Sequence, residues 1–138
     1  MKHYDYPLTV RGKIVWDDTN LRVIYSHDLA RYYRWFTERE FKFRMTGPAH
    51  SSHTTIVNAK IHKNVCKDLM KRWDGKEILV NYSPYIHVGA KSKDYRIFML
   101  FCQSPYFDKI SEELKVTKPY NWHITIANTK AGTRPYIF

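Results

Sequence analysis

The pattern H-x-T-I-x-N occurs twice in this chain, as His53-Thr54-Thr55-Ile56-Val57-Asn58 and as His123-Ile124-Thr125-Ile126-Ala127-Asn128, 70 residues apart. Both copies are rich in β-branched residues and read as strands. The same shift carries the strand beginning near Leu8 onto the one near Ile78. Self-similarity at a fixed offset means one supersecondary unit used twice. Matching ends imply a pseudo-twofold axis that sets the two motif strands opposite one another.

The rest of the chain fits that frame. Alternation and β-branching predict strands over residues 8–16 and 21–25, separated by the turn Asp17-Asp18-Thr19-Asn20. Ser26 can cap a helix over 27–40, with Leu29, Tyr32, Tyr33 and Phe36 as its apolar stripe. A connecting helix is predicted over about 60–73, from Ile61, Val65, Leu69 and Met70, closed by Asp74-Gly75. A strand over 77–88, irregular at Pro84, precedes an apolar strand over 95–102. Ser104-Pro105 starts a helix running to about 114, the second motif strand follows, and 134–138 reads as a short final strand. The order is ββαβ, connecting helix, ββαβ: an α+β chain with repeats at about 8–58 and 77–128.

At 138 residues the chain is expected to be a single domain, 1–138, able to bury a core without staples. An apolar share of 43% with 6 Pro and 5 Gly excludes disordered and collagen-like classes. No apolar run is long enough to span a bilayer, and MKHYDYPLTV has no apolar h-region, so neither membrane attachment nor a secretory signal is expected. Cys66 and Cys102 are too few for a disulfide scaffold and read as two buried thiols in a reducing compartment. The net charge of +10 suits a polyanionic partner, and the 22 aromatic residues include rings that could stack on bases.

On a strand, residues i and i+2 share a face. His53 therefore projects with Thr55, and His123 with Thr125, while Thr54, Ile56, Ile124 and Ile126 point into packing. Two imidazoles across a cleft form an acid–base pair, because histidine titrates near neutral pH. One can take a proton from an attacking hydroxyl and the other can give one to the leaving oxygen. The threonine hydroxyls can donate to non-bridging phosphate oxygens. This chemistry needs no metal and no cofactor. His3, His27, His50, His62 and His87 read as structural or exposed, and the His50/His53 spacing lacks a third ligand.

Paired H-x-T motifs in equivalent strands of a repeat resemble those of the 2H phosphoesterase superfamily, over essentially the whole chain. The resemblance implies a bilobal fold with antiparallel sheets around a central cleft. It also implies metal-independent phosphodiester cleavage, with His53 and His123 as the catalytic pair and Thr55 and Thr125 binding phosphate. The stretches DLARYYRWF, GPAHSSHTTIVN and KPYNWHITIAN look similar to small 2H enzymes of tailed bacteriophages. Among these are anti-CBASS phosphodiesterases, which degrade cyclic di- and trinucleotide signals of bacterial defence. That likeness implies a cyclic oligonucleotide substrate and, for a phage-encoded chain, action in the cytoplasm of an infected bacterium. A monomer is expected, with no protein partner. Only 15 residues follow His123, so little room for a C-terminal lid is expected.

Tyr120 and Tyr136 are the candidates for stacking a base, and Lys130 and Arg134 for neutralising phosphate. Trp122 belongs to the same neighbourhood, although alternation turns it away from His123, toward packing. Arg31, Arg34 and Arg39 read as a solvated helix face. Two other functions fit the same residues: opening of 2′,3′-cyclic phosphates at RNA ends, and nucleotide or RNA binding without turnover.

Overall fold

A computed structural model of the chain describes residues 6–41, 52–90, 95–117 and 121–130. The elements are β1 (Leu8–Trp16), β2 (Asn20–Tyr25), α1 (His27–Phe41), β3 (His53–Asn58), α2 (Lys67–Trp73), β4 (Glu77–Ala90), β5 (Tyr95–Gln103), α3 (Pro105–Leu114) and β6 (His123–Lys130). The architecture is mixed α+β. Its strands are all antiparallel to their neighbours and close into one barrel in the order β1-β2-β3-β6-β5-β4. The expected pair of sheets around a cleft is therefore replaced by a single continuous ladder. The reason is the extra pairing of β1 with β4, from Leu8↔Tyr82 to Lys13↔Glu77, which joins the two units along a second seam.

That order is palindromic, and the registers carry the same symmetry. At one seam Val10 pairs with Val80, its own equivalent 70 residues on. At the other, His53 pairs with Thr125, which centres the register on Thr54 and Ile124, again 70 apart. Both seams thus fit one twofold axis. The motif strands share the burial sequence of two alternations followed by a second consecutive buried residue, Val57 in β3 and Ala127 in β6. Each also takes a register shift at its motif isoleucine. β2 pairs Leu21 with Val57 and then Arg22 with Thr55; β5 pairs Phe98 with Ala127 and then Met99 with Thr125. A bulge of this kind re-aims the side chains beside it.

One face of the ladder carries the core. Ile14, Leu21, Val23, Val57, Val80, Leu100, Ile124 and Ile126 are fully buried there, with Phe107 and Ile110 of α3 packed against them. The helices cross between units, α1 against β6 and α3 against β3. A Cβ on Gly12 would meet Val23 Cγ1 at 2.3 Å and Tyr25 Cε1 at 2.9 Å. Glycine there lets the Tyr25 ring lie across β1 and bring its hydroxyl to Thr54.

Local signals set most element ends. Asp17 accepts hydrogen bonds from the Thr19 and Asn20 amides and the Thr19 hydroxyl, and Asp18 takes φ of 71°, which closes the β1–β2 turn. Ser104 accepts from the Tyr106 amide as the N-cap of α3, with Pro105 following. The β4–β5 register shifts between Tyr82 and Ile86, across Pro84.

The connecting helix begins later than its periodicity predicts, at Lys67. The amides of Ile61 and His62 both donate to the Asn58 carbonyl. The His62 ring then accepts from the Asn58 amide through Nδ1 and donates to the Thr117 carbonyl through Nε2. This stitch holds 58–62 as a tight turn, and Ile61 is left exposed. The late start also corrects the cysteine expectation. Cys102 is buried, whereas Cys66 is exposed as the residue preceding α2. The expected strand at 134–138 lies outside the described residues.

Candidate active site

The functional face grows from alternation along β3 and β6. Thr54 (1% exposed), Ile56 (4%), Ile124 and Ile126 (both 0%) enter the core, so His53, Thr55, His123 and Thr125 must project from the other face. All four are partly exposed. Thr54 is held by Tyr25, hydroxyl to hydroxyl at 2.8 Å, with Cys102 Sγ at 3.5 Å. This buried triad pins β3 at the symmetry axis. Burial pushes the Tyr25 phenol well above its ordinary pKa and the Cys102 thiol up to about 12, so both stay neutral.

Across the seam His53 is directly opposite Thr125. The same register carried two residues on sets Thr55 opposite His123. Each imidazole thus has a threonine hydroxyl across the ladder and another two residues along its own strand. The two histidines are diagonal neighbours, roughly 7 Å apart by the spacing of diagonal cross-strand pairs. Both rings leave the same face of one sheet.

His123 carries a defined tautomer. Its Nδ1 lies 3.0 Å from the Asn121 carbonyl, which can only accept, so Nδ1 holds the proton and Nε2 keeps its lone pair. Burial lowers the pKa of the ring, against a smaller raising effect of the Asn121 hydrogen bond. His123 is therefore neutral at pH 7 and equipped as a proton acceptor.

The neighbouring strands complete the face and break its symmetry. Ile24 stands opposite His53 and Arg22 opposite Thr55; on the other side Phe101 stands opposite His123 and Met99 opposite Thr125. The Phe101 ring stacks on His87 of β4, centroids 4.0 Å apart and planes 21° from parallel. A hollow of about 560 Å³ opens beside His53 and Thr55, lined by Arg22, Asn20, Asn58 and Lys60 among others.

Arg22, Phe101 and His87 escape motif-based reading because no pattern marks them. Alternation along β2 gives the first: Leu21, Val23 and Tyr25 are core, so Arg22 and Ile24 must face the motif side. His87 and Phe101 need the β4–β5 register as well.

Of the expected substrate-binding residues, Trp122 packs against Phe107, centroids 5.1 Å apart, on the core side. Lys130 pairs with Tyr95 at the end of β6. Tyr120, Arg134 and Tyr136 lie outside the described residues, as do His3 and His50. His62 is structural, as its two hydrogen bonds require. Arg39 lies over the exposed Trp35 ring at 5.1 Å, on the solvent side of α1. Among the described residues no three of His, Cys, Asp and Glu cluster as a metal site would, and no helix is long and apolar enough to cross a membrane.

Comparison with protein-family models, curated proteins and solved structures finds no match for this chain.

Proposed function

We propose that the protein is a phosphodiesterase of the 2H type, using His53 and His123 as an acid–base pair on a nucleotide phosphodiester. The observation that carries this reading is the pairing of His53 with Thr125 across adjacent antiparallel strands. With that register two imidazoles and two hydroxyls leave one face of the ladder, which supports acid–base displacement at phosphorus. A binding protein has no use for two opposed proton carriers. The repeat itself, with matching burial and matching bulges, supports the finer reading of a 2H-like unit used twice.

The substrate we infer is a 3′–5′ linkage in a cyclic oligonucleotide, consistent with the net charge of +10. His123 Nε2 takes the proton of the ribose 2′-hydroxyl. The 2′ oxygen attacks phosphorus, forming the P–O2′ bond. The P–O5′ bond breaks, and its oxygen receives a proton from the His53 imidazolium. The products are a 5′-hydroxyl and a 2′,3′-cyclic phosphate on the opened chain. Thr55 and Thr125 donate to the non-bridging oxygens as charge builds on them. Destruction of such signals is the chemistry of phage counter-defence.

The test is incubation with cyclic dinucleotides in excess EDTA, followed by chromatography. Opened product with unchanged rate supports the reading; loss of activity in EDTA contradicts it. Activity confined to 2′,3′-cyclic RNA ends would move the substrate to RNA termini while keeping the same four residues.

A further inference from the structure

The pseudo-twofold axis relates Arg22, opposite Thr55, to Met99, opposite Thr125. The two halves of the site are therefore chemically unlike at the positions nearest the phosphate-binding hydroxyls. On the Met99 side the face is apolar and aromatic, with Phe101 stacked on His87. On the Arg22 side there is a hollow of about 560 Å³ that His53 and Thr55 share with Arg22 and Lys60.

Arg22 is held in place rather than waving in solvent. Its side chain is only 14% exposed, and its Nη1 pairs with Asp17 Oδ2. Asp17 is fixed in turn by the Thr19 and Asn20 amides and the Thr19 hydroxyl. Burial works against ionisation of Asp17, but these hydrogen bonds and the Arg22 charge outweigh it and lower its pKa to about 2. Among the described residues the guanidinium is paired with Asp17, and a guanidinium has five N–H donors. The turn at 58–60 that brings Lys60 to the hollow is tied to β2 by Asn20, whose Oδ1 accepts from the Ala59 amide at 2.9 Å. A pre-set guanidinium and an ammonium around a hollow of nucleotide size make an anion site.

We propose that this hollow is a second phosphate subsite, with Arg22 as its specificity-determining residue, so that the substrate carries a phosphodiester next to the one being cleaved. This rests on the phosphodiesterase reading for the scissile site and goes beyond it. It selects oligonucleotides over mononucleotides and fixes substrate direction, with the neighbouring phosphate on the His53 side. The neighbouring phosphate can belong to a cyclic or a linear oligonucleotide.

The test is equilibrium binding, by calorimetry at one fixed ionic strength, with three ligands lacking the 2′-hydroxyl nucleophile. They are a 3′,5′-cyclic deoxymononucleotide with one phosphate, a cyclic deoxydinucleotide, and a linear deoxydinucleotide carrying a 3′-phosphate. Arg22→Met installs the residue that the other half already carries at the equivalent position, and circular dichroism checks its fold. The expected result is that R22M weakens at least one two-phosphate ligand about 10–100-fold more than the one-phosphate ligand, the loss of a hydrogen-bonded ion pair. Which dinucleotide is affected tells the cyclic from the linear source. Asp17→Asn is expected to give the same preference at smaller size. Equal weakening of all three ligands, or none, overturns the subsite. The phosphodiesterase reading fails separately, if a ribose cyclic dinucleotide is bound with this preference but not cleaved.

Discussion

His53 stands directly across the β3–β6 ladder from Thr125, and this one register decides what the repeat can do. A slip of either strand by one residue would turn its imidazole into the core and its motif isoleucine out of it. The buried Thr54, bonded to Tyr25 and flanked by Cys102, opposes such a slip from beneath.

Removing either ring should stop turnover without unfolding the chain. His53→Ala and His123→Ala are each expected to lower kcat by about 10²–10⁴-fold on a cyclic dinucleotide. Both side chains are only partly buried, so circular dichroism and thermal melts should change little. Wild-type rates in either variant would remove that residue from the mechanism.

Thr55→Val and Thr125→Val keep shape and delete one hydroxyl each. Loss of one donor to a transition-state oxygen costs about 100-fold in kcat. KM should move much less, because the hydroxyls act on charge that develops during the reaction. An effect on KM alone would make them ground-state binders instead.

The direction of the His123 shift fixes the acid side of the pH profile. Its folded pKa lies below the ordinary 6.5 because burial disfavours the imidazolium. A base that stays neutral to lower pH keeps working to lower pH. The acid limb of kcat/KM should therefore fall below pH 6.5, and a limb at or above 6.5 would assign the base to another group. The same downward shift, shared by the half-buried His87, has a stability consequence. Below pH 6.5 the unfolded chain binds more protons than the folded one. Stability should then drop as pH falls through 6.5 and stop dropping below the folded pKa values, as denaturant melts between pH 7.5 and 5 would show.

Thr54→Val tests the buried triad. It leaves the Tyr25 hydroxyl in the core without its 2.8 Å partner, a loss of about 1–3 kcal/mol. A melt unchanged within error would mean that the hydroxyl finds another acceptor.

Much of this was legible in the residues. The offset of 70 marks the repeat, and strand alternation is enough to place His53, Thr55, His123 and Thr125 on one face. Closure of the barrel was not legible. It depends on Val10 meeting Val80 across the chain, and strand partners so distant leave no local pattern. The contribution of Arg22 was half visible, since alternation with Leu21 and Val23 turns it outward, yet nothing in sequence says that β2 lies next to β3. The late start of α2 follows from the His62 stitch to Thr117, a contact over 55 residues that helical periodicity cannot register.

The most direct measurement is a crystal structure with a cyclic 2′-deoxydinucleotide, which binds without being cleaved. One phosphorus is expected between the two rings, with His53 within about 2.6–3.2 Å of the 5′ ester oxygen and His123 facing the 2′ carbon. A ligand whose phosphates all lie away from the β3–β6 seam, or which touches one imidazole only, would contradict that arrangement.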